Sequence, residues 1–559
     1  MSAARDSDLW WKNAVTYCLD IETYLDSDGD GIGDLPGLIR RIDYLAGMGV
    51  SCIWLMPFHP SPNRDDGYDI TDYYAVDDKL GTLGDFVVLV RAAKDRGLRV
   101  LIDLVVNHTS DRHPWFRSAR ASRNSRYRDF YVWRDEPPAT PKADVVFPDA
   151  EQSIWAWDEK AGQYYLHHFY SHQPDLNIAN PAVREEIARI AGFWLQMGID
   201  GFRVDAVPFL LETGGIADAP DLDPHVLLKE IRSVVSRRNG EAMLLGEVNL
   251  KPKDLVTYFG DDPGDEIQLL FDFNVMQAMY LSLARCDASP LIAQLESLPP
   301  IPEQCQWANF LRNHDELTLD KLTDRQRQEV FDAFGPDEDM QLFGRGLRRR
   351  LPAMFGGDQA RLRMAYSLMF SLPGAPVLFY GEEIGMGENL DIPGRVSVRT
   401  PMQWSSQQNG GFSTAAPSRL RRPLPTGRFG PLGINVEDQR RDGDSLLNWM
   451  ERLIRRRRET PELGWGEMTI LDAGCPSVIA HMVAGEGRSI LLVHNLAPEP
   501  CEVRLHVPIA RDVAPPDIVD LMHAANDLEL GPRGRVEFVS GAYGHHWFTI
   551  EDRGHQRAP

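Results

Sequence analysis

Eight short runs rich in β-branched and aromatic residues alternate with amphipathic stretches along most of this 559-residue chain. They are AVTYCLDIETY (14–24), CIWLMPF (52–58), VLIDLVVN (100–107), GFRVDA (201–206), MLLGEVN (243–249), QLLFDFN (268–274), WANFLRN (307–313) and PVLFYGEEI (376–384). Strands separated by helices pair in parallel, and eight such units close into a (β/α)8 TIM barrel. The segments between them read as helices. LPGLIRRIDYLAGMGV and TLGDFVVLVRAAKDRGLR carry a glycine near the C-terminal end, and PAVREEIARIAGFWLQMGI opens on proline.

Two connections are too long for plain barrel loops. Residues 108–178, after the third strand, are rich in Trp, Tyr, Pro and Arg and form an inserted subdomain. Residues 316–358, after the seventh, carry helical charge patterns such as DRQRQEVFDAF and form a helical lid insertion. Both leave the rim where barrel enzymes keep their chemistry. The barrel then comprises 1–107 and 179–460. From 461 to 559 short alternating strands (SVIAHMV, SILLVHNL, CEVRLHV, HHWFTI) predict a C-terminal β-sandwich. The basic run RLIRRRRE (452–459) reads as the solvated face of the last barrel helix.

Composition narrows the partners. Asp and Glu number 82 against 59 Lys and Arg, a net charge of -23, so a nucleic-acid backbone or an anionic membrane surface is not expected. Six cysteines, without a CxxC pair, signal neither zinc nor a dense disulfide framework, and suggest a reducing compartment. The N-terminal residues lack a basic start followed by an apolar stretch, and no run reaches about 18 apolar residues. A cytoplasmic protein is expected, and a homo-oligomer is compatible with these features.

Side chains at the C-terminal ends of barrel strands converge on one pocket. Asp205 ends GFRVD, Glu247 ends MLLGE and Asp315 follows FLRNH. Singly, such an acid is most often a helix cap or a solvated turn. Three at equivalent strand ends, with Arg203 two residues before one and His314 directly before another, fit glycosidic-bond chemistry better. That reaction needs a carboxylate nucleophile and a carboxylic acid flanking the anomeric carbon, about 5–5.5 Å apart in retaining enzymes. Arg203 and Asp205 point the same way along a strand, so the guanidinium can hold that carboxylate ionised. Asp205 is therefore the expected nucleophile, and Glu247 the general acid, with its pKa raised by burial and neighbouring negative charge. Asp315 would bind hydroxyls and stabilise developing positive charge.

In this order DLVVNH (103–108), QPDLN (173–177), GFRVDA (201–206), GEVN (246–249) and RNHDE (312–316) resemble the ordered motifs of glycoside hydrolase family 13, the α-amylase family. The resemblance covers almost the whole chain and implies the same roles for Asp205, Glu247 and Asp315. It further implies sugar contacts from Asp65, Tyr68, His108, Phe169, Gln173, Arg203 and His314. Arg399 in RTPMQW resembles an arginine closing the pocket of exo-acting members. Within the family the chain looks closest to enzymes that interconvert maltose and trehalose by intramolecular glucosyl transfer; a hydrolytic exo-α-glucosidase is the near alternative. The expected partner is thus a small α-glucoside disaccharide. A non-catalytic, transporter-associated relative is the remote alternative, and all three acids speak against it.

The loop DSDGDGIGD (26–34) groups Asp26, Asp28, Asp30 and Asp34 among glycines. Hard oxygen ligands at this spacing suit a structural Ca²⁺, with the Ile32 carbonyl as a further ligand. Gly37 stands where an EF-hand would need its bidentate Glu, so the loop is not an EF-hand. The family resemblance also carries calcium on a similar loop, and implies a second site through Asn107, Asp175 and Glu212. Neither ion would lie among the catalytic acids.

Overall fold

The computed structural model describes residues 9–137, 145–210, 225–485, 488–508, 517–522, 528, 531 and 534–551. Eight parallel strands close into a barrel: β1 (Thr16–Leu19), β2 (Cys52–Leu55), β3 (Arg99–Leu104), β4 (Gly201–Val204), β5 (Met243–Gly246), β6 (Leu269–Phe271), β7 (Gln306–Asn309) and β8 (Ala375–Phe379). Five lie within the runs read from sequence, and β3, β7 and β8 each begin one residue before theirs. Their side chains are almost all fully buried because the barrel interior is packed on one side and the helical ring on the other.

Local chemistry sets the helix boundaries. Thr82 and Asp85 form a reciprocal cap at the start of Leu83–Lys94, and Asn180 caps Pro181–Gln196. Gly49, at φ 91°, ends Ile42–Met48. The stretch expected as one helix over 35–50 breaks at Arg41 into Leu35–Arg40 and Ile42–Met48.

The first insertion holds the helix Pro114–Ala121 and a three-stranded antiparallel sheet of Trp133–Arg134, Gln163–Leu166 and Trp155–Asp158. The second corrects the expectation of a helical lid. Besides the helix Asp324–Phe334 it contains a three-stranded sheet in which Gly346–Leu347 pairs with both Leu317–Thr318 and Gln341–Leu342. Pairing between residues about 30 positions apart leaves no local periodicity to read.

In the C-terminal region a five-stranded antiparallel sheet faces a two-stranded one. The period-2 alternation divides its strands cleanly. Leu491 and Val493 of Arg488–Asn495 join Val503, Leu505 and Val536 in a core between the sheets. Ile490 and Leu492 turn to the barrel's own core, where Trp547 Nε1 donates to Ser367 Oγ on the helix Gln359–Ser371 at 2.9 Å. Cys475 and Cys501 are joined as a disulfide, a pairing that the scattered cysteines did not signal. Arg457, within the run read as solvated, is buried and donates to Gly374 O. No helix of the described residues is long and apolar enough to cross a membrane.

Candidate active site

The chain turns from β4 into Asp205, whose N–H donates to Leu104 O at 3.3 Å, and from β5 into Glu247, whose N–H donates to Val204 O at 3.1 Å. Ala206 then adopts φ 51°, a left-handed conformation uncommon outside glycine. Its N–H reaches Glu247 Oε2 at 3.3 Å. Hydrogen bonding therefore ties the two strand ends into one unit.

Arg203, on β4, organises three carboxylates. Nη1 donates to Asp103 Oδ1 at 2.6 Å and to Asp205 Oδ1 at 2.5 Å, and Nη2 donates to Glu247 Oε2 at 2.6 Å. Asp103 is itself fixed by Trp54 Nε1 at 2.8 Å. Burial is the largest influence on both proposed reacting groups. It raises Glu247 to about 7 against the pull of Arg203, with Asp205 and Asp315 adding to the rise. It raises Asp205 to about 6, again opposed by Arg203. Their order suits a protonated Glu247 beside an ionised Asp205.

Asp315 differs. Burial would raise it, but His314, Arg395 and Arg399 outweigh that effect and hold its carboxyl well below the usual range. Arg395 Nη1 and Arg399 Nη2 donate to Asp315 Oδ1 at 2.7 and 2.9 Å. Burial lowers His314 to about 4, so its ring is neutral near pH 7 and the arginines supply the positive charge. His314 Nε2 lies 3.1 Å from Asp315 Oδ2 and 2.7 Å from the Tyr68 hydroxyl, with the Tyr68 and His314 rings stacked.

These residues frame a cavity of about 470 Å³, within the range of small-molecule sites. Asp65, Tyr68, His108, Phe169, Asp205, Glu247 and Asp315 all line it. Gln173, Arg203 and His314 stand behind the wall, fully or almost fully buried. Gln173 Nε2 donates to Asp65 Oδ2 at 2.9 Å and lies 3.2 Å from His108 Nε2. They position the lining groups.

Arg399 also needs relocating. It is fully buried, donating through Nε to His314 O at 2.7 Å and through Nη1 to Asp66 Oδ2 at 2.5 Å. Arg395, which the sequence reading missed, takes the place at the cavity wall, bonded to both Asp65 and Asp315. The two arginines sit four residues apart on one segment. Arg399 is drawn inward by Asp66, itself paired with Arg422. No motif distinguishes them in advance. Asn249, Thr318 and Asp320 were likewise missed; they line the cavity and meet through Asp320 Oδ1, which accepts from Asn249 Nδ2 at 3.0 Å and Thr318 Oγ1 at 3.2 Å.

In the acidic loop Asp26, Asp28 and Asp34 each offer an oxygen within 4.8 Å of the others, a hard donor set that fits Ca²⁺. Asp30 lies outside that group, its Oδ1 accepting from Ile32 N at 2.7 Å. At the implied second site Asp175 is occupied by His168 Nδ1 and by Asn107 Nδ2, the latter at 3.2 Å. Among the described residues, Asp175 belongs to no cluster of three His, Cys, Asp or Glu side chains. Glu212 lies outside the described residues.

Two carboxyls of raised pKa, held by one guanidinium on the wall of a cavity sized for a small molecule, fit a barrel enzyme that acts on glycosides. The description alpha amylase, catalytic domain, matches residues 21–333 and 343–466, and the chain belongs to that family, as an enzyme acting on α-glucosides. It is 41% identical over 549 residues to the trehalose synthase/amylase of Mycobacterium tuberculosis, covering 97% of this chain and 90% of that protein. A trehalose synthase of Pimelobacter is 39% identical over 555 residues, covering 97% and 96%. Among solved structures a trehalulose synthase matches with TM-score 0.77 at 27% identity, covering 97% of this chain and all of that one.

Proposed function

We propose that the enzyme interconverts maltose and trehalose by intramolecular α-glucosyl transfer with retention. The observation that carries this reading is the placement of Asp205 and Glu247 on one cavity wall, bridged by Arg203. Two trehalose synthases among its relatives support the substrate pair. Asp205 attacks C1 of the glucosyl unit as Glu247 gives its proton to the glycosidic oxygen. The covalent glucosyl-enzyme then reacts with a different hydroxyl of the retained glucose, whose proton returns to Glu247. Asp65, Arg395 and Asp315 hold the glucosyl unit, and Asp315 stabilises charge developing at C1.

The second reading, an exo-α-glucosidase, uses the same groups and differs in admitting water. It is supported by 30% identity over 545 residues to an oligo-1,6-glucosidase of Halalkalibacterium halodurans. The proposal extends to a structural Ca²⁺ held by Asp26, Asp28 and Asp34, and to a cytoplasmic location, for which the free thiols Cys18, Cys52, Cys286 and Cys305 count and against which the Cys475–Cys501 disulfide counts. Separate incubations with maltose, trehalose, sucrose and isomaltose test the reaction. A rearranged disaccharide from maltose or trehalose is expected; free glucose alone would reject transfer.

A further inference from the structure

We propose that Phe343 and Arg345, at the tip of the hairpin formed by Gln341–Leu342 and Gly346–Leu347, latch onto Phe147 and Val146 of the other insertion. This latch sets whether the glucosyl group returns to the caged sugar or passes to water. The inference rests on the transfer reading above and assigns its selectivity to particular residues.

The two insertions meet above the reacting carboxylates. The Phe343 ring lies 5.4 Å from that of Phe147, centroid to centroid, and Arg345 Nη2 donates to Val146 O at 2.8 Å. Arg345 also faces Glu316 Oε1 at 3.5 Å and lies 5.3 Å from the Phe343 ring. Val146, Phe147, Glu316 and Arg345 all line the cavity. Phe343 holds its ring there at φ 56°, a left-handed conformation that bulky side chains rarely adopt and that tends to persist where function demands it.

Phe147 connects this bridge to the chemistry. Its ring stacks on Tyr170 at 4.4 Å and packs against the Arg395 guanidinium at 5.1 Å. Arg395 in turn fixes Asp65 and Asp315. Closing the hairpin therefore covers the cavity and braces the arginine that orients the glucosyl unit. A bridge of one ring contact and one hydrogen bond is suited to opening for substrate entry and product release.

In transfer, the ester bond from Asp205 to C1 breaks as a hydroxyl oxygen of the retained glucose bonds to C1, and the hydroxyl proton passes to the Glu247 carboxylate. In hydrolysis a water oxygen makes that bond, its proton takes the same route, and two glucose molecules leave. Both outcomes share a donor and a proton acceptor, so exclusion of water decides between them.

The test gives maltose to the full-length enzyme and to Phe343→Ala, Arg345→Met and Phe343→Tyr, and reads the ratio of free glucose to rearranged disaccharide. Phe343→Ala and Arg345→Met should each raise that ratio by about three- to tenfold while total maltose consumption falls less, and Phe343→Tyr should keep the wild-type ratio. An unchanged ratio in both disruptive variants overturns the latch; if Phe343→Ala does not fold, Arg345→Met decides alone. Wild-type enzyme that forms no rearranged disaccharide refutes the transfer reading instead. The latch is then tested with p-nitrophenyl α-glucoside and added glucose: a lower share of disaccharide in the variants supports it, and an unchanged share overturns it.

Discussion

At the residue scale, one guanidinium does most of the organising. Arg203 serves Asp103, Asp205 and Glu247 together, so two carboxylates destined for opposite roles share one cation. In the proposed mechanism turnover requires Asp205 ionised and Glu247 protonated. With these groups raised to about 6 and about 7, kcat/KM should climb as pH rises through about 6, as Asp205 ionises. It should fall beyond about 7, as Glu247 loses its proton. A profile flat from pH 5 to 9 would contradict this assignment. Glu247→Gln should slow maltose turnover by about 10²–10⁴-fold yet retain formation of the glucosyl-enzyme from p-nitrophenyl α-glucoside, whose leaving group needs little protonation. Arg395→Met, which removes charged hydrogen bonds to Asp65 and Asp315 worth about 1.5–3 kcal/mol each, should lower kcat/KM by roughly 10- to 100-fold. Steady-state kinetics at the pH optimum would show whether it does.

At the element scale, the strands and the acids at their ends were legible because barrel geometry repeats: a buried run, then a polar residue at the rim. The wall between them was less so. Arg395 and Arg399 occupy one short segment, and only the distant Asp66 and Arg422 decide which turns inward. The sheet of the second insertion escaped because Leu317–Thr318 pairs with Gly346–Leu347 far along the chain, and because the local hairpin beside it has strands of only two residues. Close approach of strands makes a sharper prediction at Gly201. Its φ is 150°, and a Cβ there would stand 2.0 Å from Met243 O. Gly201→Ala should therefore cost about 1–3 kcal/mol through the β4–β5 pairing, read as a lower denaturation midpoint. The acidic loop carries its own test. If Asp26, Asp28 and Asp34 hold Ca²⁺, a chelator should lower the Tm and excess Ca²⁺ restore it; an unchanged Tm with no metal by elemental analysis would reject the ion.

At the scale of the whole molecule, the barrel carries one set of cavity-lining groups on its strand ends and the two insertions supply the cover above them. Asp205 and Glu247 extend from paired strands, whereas Phe147 and Arg345 arrive from separate insertions. The division fits an enzyme whose bond-making groups are preorganised while access to them is governed by cover. The central claim is that the glucosyl group rides on Asp205. The direct measurement is to trap it with 5-fluoro-α-glucosyl fluoride, digest the protein and locate the adduct by mass spectrometry. The account predicts a single labelled peptide with the sugar on Asp205; an adduct on Glu247, or turnover of the reagent by Asp205→Ala at the wild-type rate, would contradict it.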